Sequence, residues 1–183
     1  TIRTSSITST SDSLKDGFTA VFNGVTGATE YRVQKNHTDY QTVTTTQFHE
    51  YQVCGEDVTV ETVIDYSVSS IGRNAYDSNG VTVVTLDSLP EAAADFTIKV
   101  LSVPVVADMS GFAYSWSEVS GAYGYMIKTD SSSHAADALS HDLSFLTAGT
   151  HKVSMCARGN GADVLASNYP PEIEIYRLSA PYD

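Results

Sequence analysis

Two segments of this 183-residue chain repeat each other in sequence. Residues 16–36, DGFTAVFNGVTGATEYRVQKN, align without a gap with residues 110–130, SGFAYSWSEVSGAYGYMIKTD, and six of the 21 aligned positions are identical. A second block, 66–73, aligns with 151–158, and the first copy carries about nine extra residues between the two blocks. Because a repeat of this length is a structural unit, the chain is predicted to contain two similar domains.

The boundary between the copies is predicted at Leu89/Pro90, in the segment DSLPEAAADF, whose proline and small residues are typical of a short linker. The two domains would then be residues 1–89 and 90–183. Each piece carries 5 basic and 11 acidic residues, which divides the net charge of −12 into −6 and −6. A surplus of carboxylates repels nucleic acid and anionic membranes, so neither is an expected partner. No apolar run approaches the roughly 18 residues that span a bilayer, so no membrane insertion is expected.

Apolar side chains alternate with small or polar ones along several short segments, which indicates strands with one buried face. Phe112, Tyr114 and Trp116 form such a series in the second copy, and Phe18 and Phe22 do so in the first. The same inward register is predicted for Tyr31, Tyr66 and Tyr125, and further alternating segments are 96–100, 153–157 and 173–175. Segment 96–100 is assigned to the start of the second domain. No stretch shows helical periodicity with caps, so the fold class is all-β.

In the second copy, the residues FAYSWSEVSGAYGYMI and LSFLTAGTHKVSMCARG resemble fibronectin type III domains, especially the divergent copies in bacterial secreted and cell-surface proteins. Immunoglobulin-like sandwiches share these motifs. The resemblance implies two tandem antiparallel β-sandwiches, with Trp116 and Tyr125 in the core. It also implies that Leu146–His151 forms a corner between strands. The tyrosine usual at that corner is His151 here and Tyr66 in the first copy.

Motifs for catalysis are absent from the sequence, including Gly-x-Ser-x-Gly, His-Glu-x-x-His and the phosphate-binding Gly-x-x-x-x-Gly-Lys-Ser/Thr loop. A triad drawn from His141, Asp142 and one of 23 serines carries little information, because serine is so abundant. No catalytic residue and no enzymatic activity are therefore predicted.

Three groups of side chains carry donor atoms that metals prefer. They are His37 with Asp39, His134 with Asp137 and His141, and Asp77 with Asn79. Their spacings match no closed metal motif, so they are interpreted as solvated loop residues. Neither a metal nor another cofactor is predicted.

Two tyrosines near turns, Tyr76 in RNAYDSNG and Tyr169 in ASNYPPE, are the candidate ligand contacts. Both are predicted to lie between the last two strands of their domains, where a ring can be exposed and stack on a sugar. The segments Asn36–Asp65 and Asp130–Asp142 are the other regions where binding specificity is expected.

The two cysteines, Cys54 and Cys156, occupy different positions in the repeat, so two free thiols are predicted, with Cys156 on the outward face of its strand. The chain starts without Met or a secretion signal, and we expect a fragment of a larger multidomain chain. Its high serine and threonine content is typical of secreted β-modules.

Together these features predict a non-catalytic pair of modules in a secreted or cell-surface protein, acting as a spacer, in adhesion or as a ligand-presenting scaffold with a protein or glycan partner. A carbohydrate-binding or substrate-docking module of a secreted hydrolase is the alternative. Assembly through open edge strands is a third possibility.

Overall fold

The computed structural model describes residues 2–55, 57–72, 74–76, 79, 82–84, 86–87 and 93–181, with the backbone alone at 74–76 and 82–84. Throughout these ranges the regular structure is β-strand, apart from a single 3-10 turn at Leu14–Asp16. The predicted all-β class is therefore confirmed. No helix in the described part of the chain is long and apolar enough to cross a bilayer.

Two antiparallel sheets form the first sandwich, one with the order β1-β2-β5 and the other containing β9-β6-β3-β4. Its strands are β1 (Thr4–Ser9), β2 (Phe18–Phe22), β3 (Glu30–Lys35), β4 (Thr38–Val43), β5 (Gln47–Glu50), β6 (Thr62–Ile71), β7 (Asn74–Tyr76), β8 (Thr82–Val84) and β9 (Ala94–Val100). Strands β7 and β8 pair as a hairpin within the connection from β6 to β9.

The second sandwich repeats this arrangement, with sheets in the orders β10-β11-β14 and β13-β12-β15-β17. Its strands are β10 (Val106–Ser110), β11 (Ala113–Trp116), β12 (Tyr125–Thr129), β13 (Ser132–Ala136), β14 (Ser140–Asp142), β15 (Gly149–Ala157) and β17 (Ile173–Arg177). The short strand β16 (Val164–Leu165) lies between β15 and β17 in sequence but pairs with β9 of the first sandwich. The predicted pair of tandem sandwiches is confirmed by this repeated strand order.

Alternation along the strands places aromatic side chains between the sheets, as the sequence predicts. Tyr31, Tyr66, Tyr114, Trp116 and Tyr125 are all buried. Each sandwich encloses its own cluster of buried apolar side chains. Burial of this apolar surface is the main source of stability for both sandwiches.

The prediction of an inward Phe112 is wrong, because its side chain is 52% exposed. Ser110 pairs with Ala113, so Gly111 and Phe112 form the two-residue turn between β10 and β11. A turn residue is free of the period-two alternation of the strand that follows it. The ring instead contacts the guanidinium group of Arg177, whose Cζ lies 5.1 Å from the ring centroid.

The assignment of residues 96–100 to the second domain is also wrong. Strand β9 pairs with β6 along its length, from Val68↔Ala94 to Thr62↔Val100, and Ile98 lies in the first core. The predicted boundary at Leu89/Pro90 falls in 88–92, outside the described residues. The strand pairing extends the first sandwich to Val100, and residues 101–105 connect it to β10.

Strands occupy part of each of the two segments predicted to carry specificity. Asn36–Asp65 contains β4, β5 and the start of β6, and Asp130–Asp142 contains β13 and β14. The extra residues of the first copy lie mainly in the connection 51–61, whose counterpart in the second sandwich is 143–148. This longer connection contacts the second sandwich.

Candidate functional site

Residues 158–170, most of the connection between β15 and β17, pack against the first sandwich, and we call them the joint loop. It turns at Asn160-Gly161, as the sequence predicts, with Gly161 at φ 77°. The Asn160 side-chain oxygen accepts hydrogen bonds from the backbone amides of Ala162 and Val164, at 2.8 and 2.9 Å. These local bonds satisfy backbone groups within the turn and present the rest of the loop to the first sandwich.

Backbone hydrogen bonds connect the joint loop to two strands of the first sandwich. On one side, the Ser9 amide at the end of β1 donates to the Gly161 carbonyl at 2.9 Å. On the other, the Lys99 amide donates to Asp163 at 2.9 Å and the Leu101 amide to Leu165 at 3.2 Å. The loop thus adds β16 as a parallel fifth strand beside β9 and closes the gap between β1 and β9.

Leu165 carries the apolar part of this contact. Its side chain is 1% exposed and belongs to the core cluster of the first sandwich, although the residue lies within the second repeat. The next two residues, Ala166 and Ser167, are fully buried. Full burial of a leucine side chain contributes about 1.5–3 kcal/mol, so the contact favours a fixed joint.

An ion pair lies beside the loop, where Arg158 Nε is 2.6 Å from Asp12 Oδ1 of the first sandwich. Partial burial alone would raise the pKa of Asp12, but hydrogen bonds from Ser11 and Arg158 hold that pKa below its ordinary value. The Gly159 amide also donates to the Ser11 carbonyl at 2.8 Å.

Cys156 is buried at this contact. Its side chain points away from the second core, as predicted for an outward position, yet it has no exposed surface. The thiol donates to the Asp12 carbonyl at 3.4 Å and is hydrogen-bonded to Tyr169. A face predicted to meet solvent is therefore covered by the first sandwich. Both cysteines are free thiols, as predicted.

The long connection 51–61 completes the joint. The Asn168 side-chain amide donates to the carbonyls of Gly55 at 3.2 Å and Val58 at 3.1 Å, and the Val103 amide donates to Thr59 at 3.0 Å. The inserted residues of the first copy thus serve the contact between the two sandwiches.

We expect the two thiols to react at very different rates. Burial raises the pKa of Cys156 to about 11, and burial also raises the pKa of the half-exposed Cys54. Because the thiolate is the reactive form, Cys54 should react with Ellman's reagent at pH 8 at least about 100-fold faster than Cys156. A Cys54→Ser chain should lose the fast phase, and equal rates in the parent chain would contradict the burial of Cys156.

The two predicted ligand contacts differ in their surroundings. The side chain of Tyr76 lies outside the described residues, and its backbone ends β7. Tyr169 is 37% exposed and lines a cleft of about 740 Å³ between the sandwiches. Polar neighbours in this cleft include Gln52, Asp57 and Glu172.

Of the side chains considered for metal binding or catalysis, His134 and His141 come together. Their ring centroids are 5.4 Å apart, beside Phe145. Burial lowers the pKa of His141. The carboxylate of Asp142 instead accepts hydrogen bonds from the amide and hydroxyl of Ser144, both at 2.8 Å. Within the described residues, no three His, Cys, Asp or Glu side chains are grouped so as to hold a metal ion.

The corner position differs between the copies. In the first sandwich, the Tyr66 hydroxyl donates to the buried carboxylate of Glu50, which also pairs with Lys35 Nζ at 2.6 Å. In the second, His151 Nδ1 lies 2.8 Å from Asp130 Oδ2 and Nε2 lies 2.8 Å from the Thr147 carbonyl. An acceptor at each ring nitrogen favours the doubly protonated imidazolium.

The hydrogen bond to Asp130, with that to Thr147, raises the pKa of His151. A raised pKa means that the contact stabilises the fold fully below about pH 6.5 and loses this contribution as the pH rises through the folded-state pKa. We expect the His151 Hε1 resonance to titrate with a midpoint above 6.5. Asp130→Asn should lower that midpoint, and an unchanged midpoint would contradict the assigned cause.

These sheets and their strand orders define two antiparallel β-sandwiches in tandem, the architecture that fibronectin type III and immunoglobulin domains share. No family model matches the chain, and no curated protein matches it.

The chain is similar in structure to fibronectin(III)-like modules of Clostridium thermocellum CbhA, with 14% identity, a TM-score of 0.35, and coverage of 88% of this chain and 84% of that one. It is similar to the FN1–FN3 domains of chicken CNTN1, with 15% identity, a TM-score of 0.35 and coverage of 94% and 66%. It is also similar to the central fibronectin-III array of RIM-binding protein, with 12% identity, a TM-score of 0.31 and coverage of 97% and 70%.

Proposed function

We propose that the chain is a non-catalytic structural pair within a larger secreted or cell-surface protein, and that it holds the elements on either side at a fixed spacing and angle. The observation that carries the proposal is the joint loop, which adds a strand to the first sandwich and buries Leu165 in its core. Two modules joined by residues 101–105 alone would reorient freely, since a short linker fixes distance but not angle.

The acidic surface fits this role. Both sandwiches carry an excess of carboxylates, and a distributed negative charge keeps a module soluble and limits non-specific association. A protein or glycan partner would then be bound through loops that the rigid pair presents in a constant geometry.

A distance measurement tests the structural role. Thr42 on β4 and Ser133 on β13 are both exposed, so Thr42→Cys and Ser133→Cys can carry spin labels in a Cys54→Ser background. Pulsed electron resonance should give a single narrow distance distribution. A broad distribution would overturn the proposal, because it would show two modules that move independently.

The alternative function, glycan binding, is favoured by the cleft beside Tyr169. The partly exposed Tyr169 side chain lies next to amide and carboxylate side chains, so the cleft offers both an aromatic ring and hydrogen-bonding groups to a sugar. In this proposal Tyr169 and Tyr76 are the ligand contacts. On a glycan array, Tyr169→Ala and Tyr76→Ala should each lose binding, while Tyr169→Phe keeps the ring and should retain it. An array without signal for the parent chain would favour the structural role.

A further inference from the structure

A cleft of about 500 Å³ lies at the far end of the second sandwich, and no described residue fills it. It is bounded by the β10–β11 turn, the connection 143–148 and the end of β17. Its apolar lining comprises Met109, Phe112, Leu143, Leu146, Ile175 and Leu178. Phe112 and Leu178 are 52% and 78% exposed, so apolar surface is left open to solvent here.

The repeat assigns this cleft a counterpart in the first sandwich. Tyr66 of β6 pairs with Phe96 of β9, and His151 of β15 pairs with Ile175 of β17. Because Tyr66 and His151 are equivalent in the repeat, Ile175 corresponds to Phe96. The end of β17 therefore corresponds to the end of β9, against which the joint loop lies.

The same correspondence applies to the backbone amides three and five residues after Phe96 and after Ile175. Lys99 and Leu101 donate their amides to the joint loop. Their counterparts are Leu178 and Ala180, whose amides have no hydrogen-bond partner among the described residues. In both sandwiches the gap lies between the first strand and the last, at the same end. The joint loop fills this gap in the first sandwich, whereas the gap in the second sandwich is open.

The connection between the first two strands differs between the sandwiches, and this difference indicates which contacts a segment bound in the cleft would make. The first sandwich has residues 10–17 between β1 and β2, including the Asp12 that pairs with Arg158. The second has the turn Gly111-Phe112 in that place. An occupant of the open cleft would thus be held by backbone hydrogen bonds and an apolar side chain.

We propose that this cleft docks the connection between the last two strands of a further fibronectin III-like domain, whose backbone carbonyls accept from Leu178 and Ala180 and whose leucine or similar side chain enters as Leu165 does in the first sandwich. This inference rests on the proposed structural role, because it extends the observed joint to a next module. An open edge beside an apolar gap is a surface that added strands commonly occupy.

Amide hydrogen exchange on an extended chain tests the proposal. In the extended chain, a second copy of residues 102–183 follows Ala180 directly. Because Ala180 is the counterpart of Leu101, the added domain then stands at the same distance in sequence from β17 as the second sandwich does from β9. The Leu178 and Ala180 amides should exchange at least about 10-fold more slowly in the extended chain than in the parent chain. Lys99 and Leu101 are read in the same samples and should be protected in both.

A matched control carries Leu165→Asp in the added copy alone, and protection of Leu178 and Ala180 should be lost while Lys99 and Leu101 remain protected. Unchanged exchange at Leu178 and Ala180 in the extended chain would overturn the docking proposal and leave the proposed function standing. Unprotected Lys99 and Leu101 would overturn the joint itself. Protection that appears in the parent chain as its concentration rises would assign the cleft to a second copy, which also overturns the proposal.

Discussion

Replacing Leu165 with Ala is expected to open the joint while both sandwiches stay folded. The side chain is 1% exposed and packs in the first core, so its deletion should cost about 2–5 kcal/mol. The joint loop can leave the first sandwich without unfolding either core, so the loss should weaken the joint first. About 2 kcal/mol corresponds to a roughly 30-fold larger open fraction.

The thiol of Cys156 reports this opening, since the first sandwich covers it. In a Cys54→Ser background, Leu165→Ala should accelerate its labelling by at least about 30-fold. Leu139 is 42% exposed, so Leu139→Ala is the matched control and should leave the rate unchanged. Equal labelling rates in the Leu165 and Leu139 variants would show that the Leu165 side chain does not hold the joint closed.

Replacing Gly159 with Ala is a second, independent way to open the joint. A Cβ at this position would lie 2.1 Å from the Val164 carbonyl oxygen, so Gly159→Ala cannot keep the present loop backbone. It should accelerate labelling of Cys156 without changing any core side chain.

Replacing Glu50 with Ala is expected to destabilise the first sandwich by about 3 kcal/mol, because removing one member of a buried ion pair leaves the other uncompensated. The Glu50 side chain is almost fully buried and accepts hydrogen bonds from Lys35 Nζ at 2.6 Å and from the Tyr66 hydroxyl. Burial, with the hydrogen bond to Glu50, raises the pKa of Tyr66 well above its ordinary value, so the phenol stays a donor.

Urea unfolding monitored by first-domain amide signals measures this loss. Glu50→Gln keeps the shape and one acceptor oxygen, so it should cost less than Glu50→Ala. An Ala variant as stable as the parent chain would contradict the assigned role of the carboxylate.

Much of this fold is readable from the sequence because the repeat and the alternation report directly on strands. Tyr31 and Tyr125 lie at identical positions of the repeat and are buried in both copies. Alternation, however, shows which side chains share a face and not which strand lies beside them. The segment 96–100 is predicted to start the second domain because it follows Pro90, whereas its pairing with β6 is a non-local property that alternation does not report.

One signal in the sequence points to the correct division. The alternating segment 173–175 follows the repeat block 151–158, so an equivalent last strand is expected after the block 66–73, and the alternation at 96–100 matches it. A repeat that includes this last strand places the boundary after Val100.

The joint could not be read from the sequence. Val164-Leu165 is too short a run to predict a strand, and nothing local shows that Leu165 packs in another domain's core. The alternation predicts Cys156 outside its own core, and the structure confirms this, but its burial depends on Asp12, 144 residues away. Contacts between domains produce no periodic pattern in the sequence of either domain, so they can be identified only from the three-dimensional structure.

Residual dipolar couplings of backbone amides test whether the two sandwiches form one rigid body. Couplings from residues 2–100 and from residues 106–177, fitted separately in one alignment medium, should give the same alignment tensor in magnitude and orientation. Leu165→Ala should make the two tensors differ. Tensors that already differ in the parent chain would show that the sandwiches reorient independently and that the joint does not fix the angle between them.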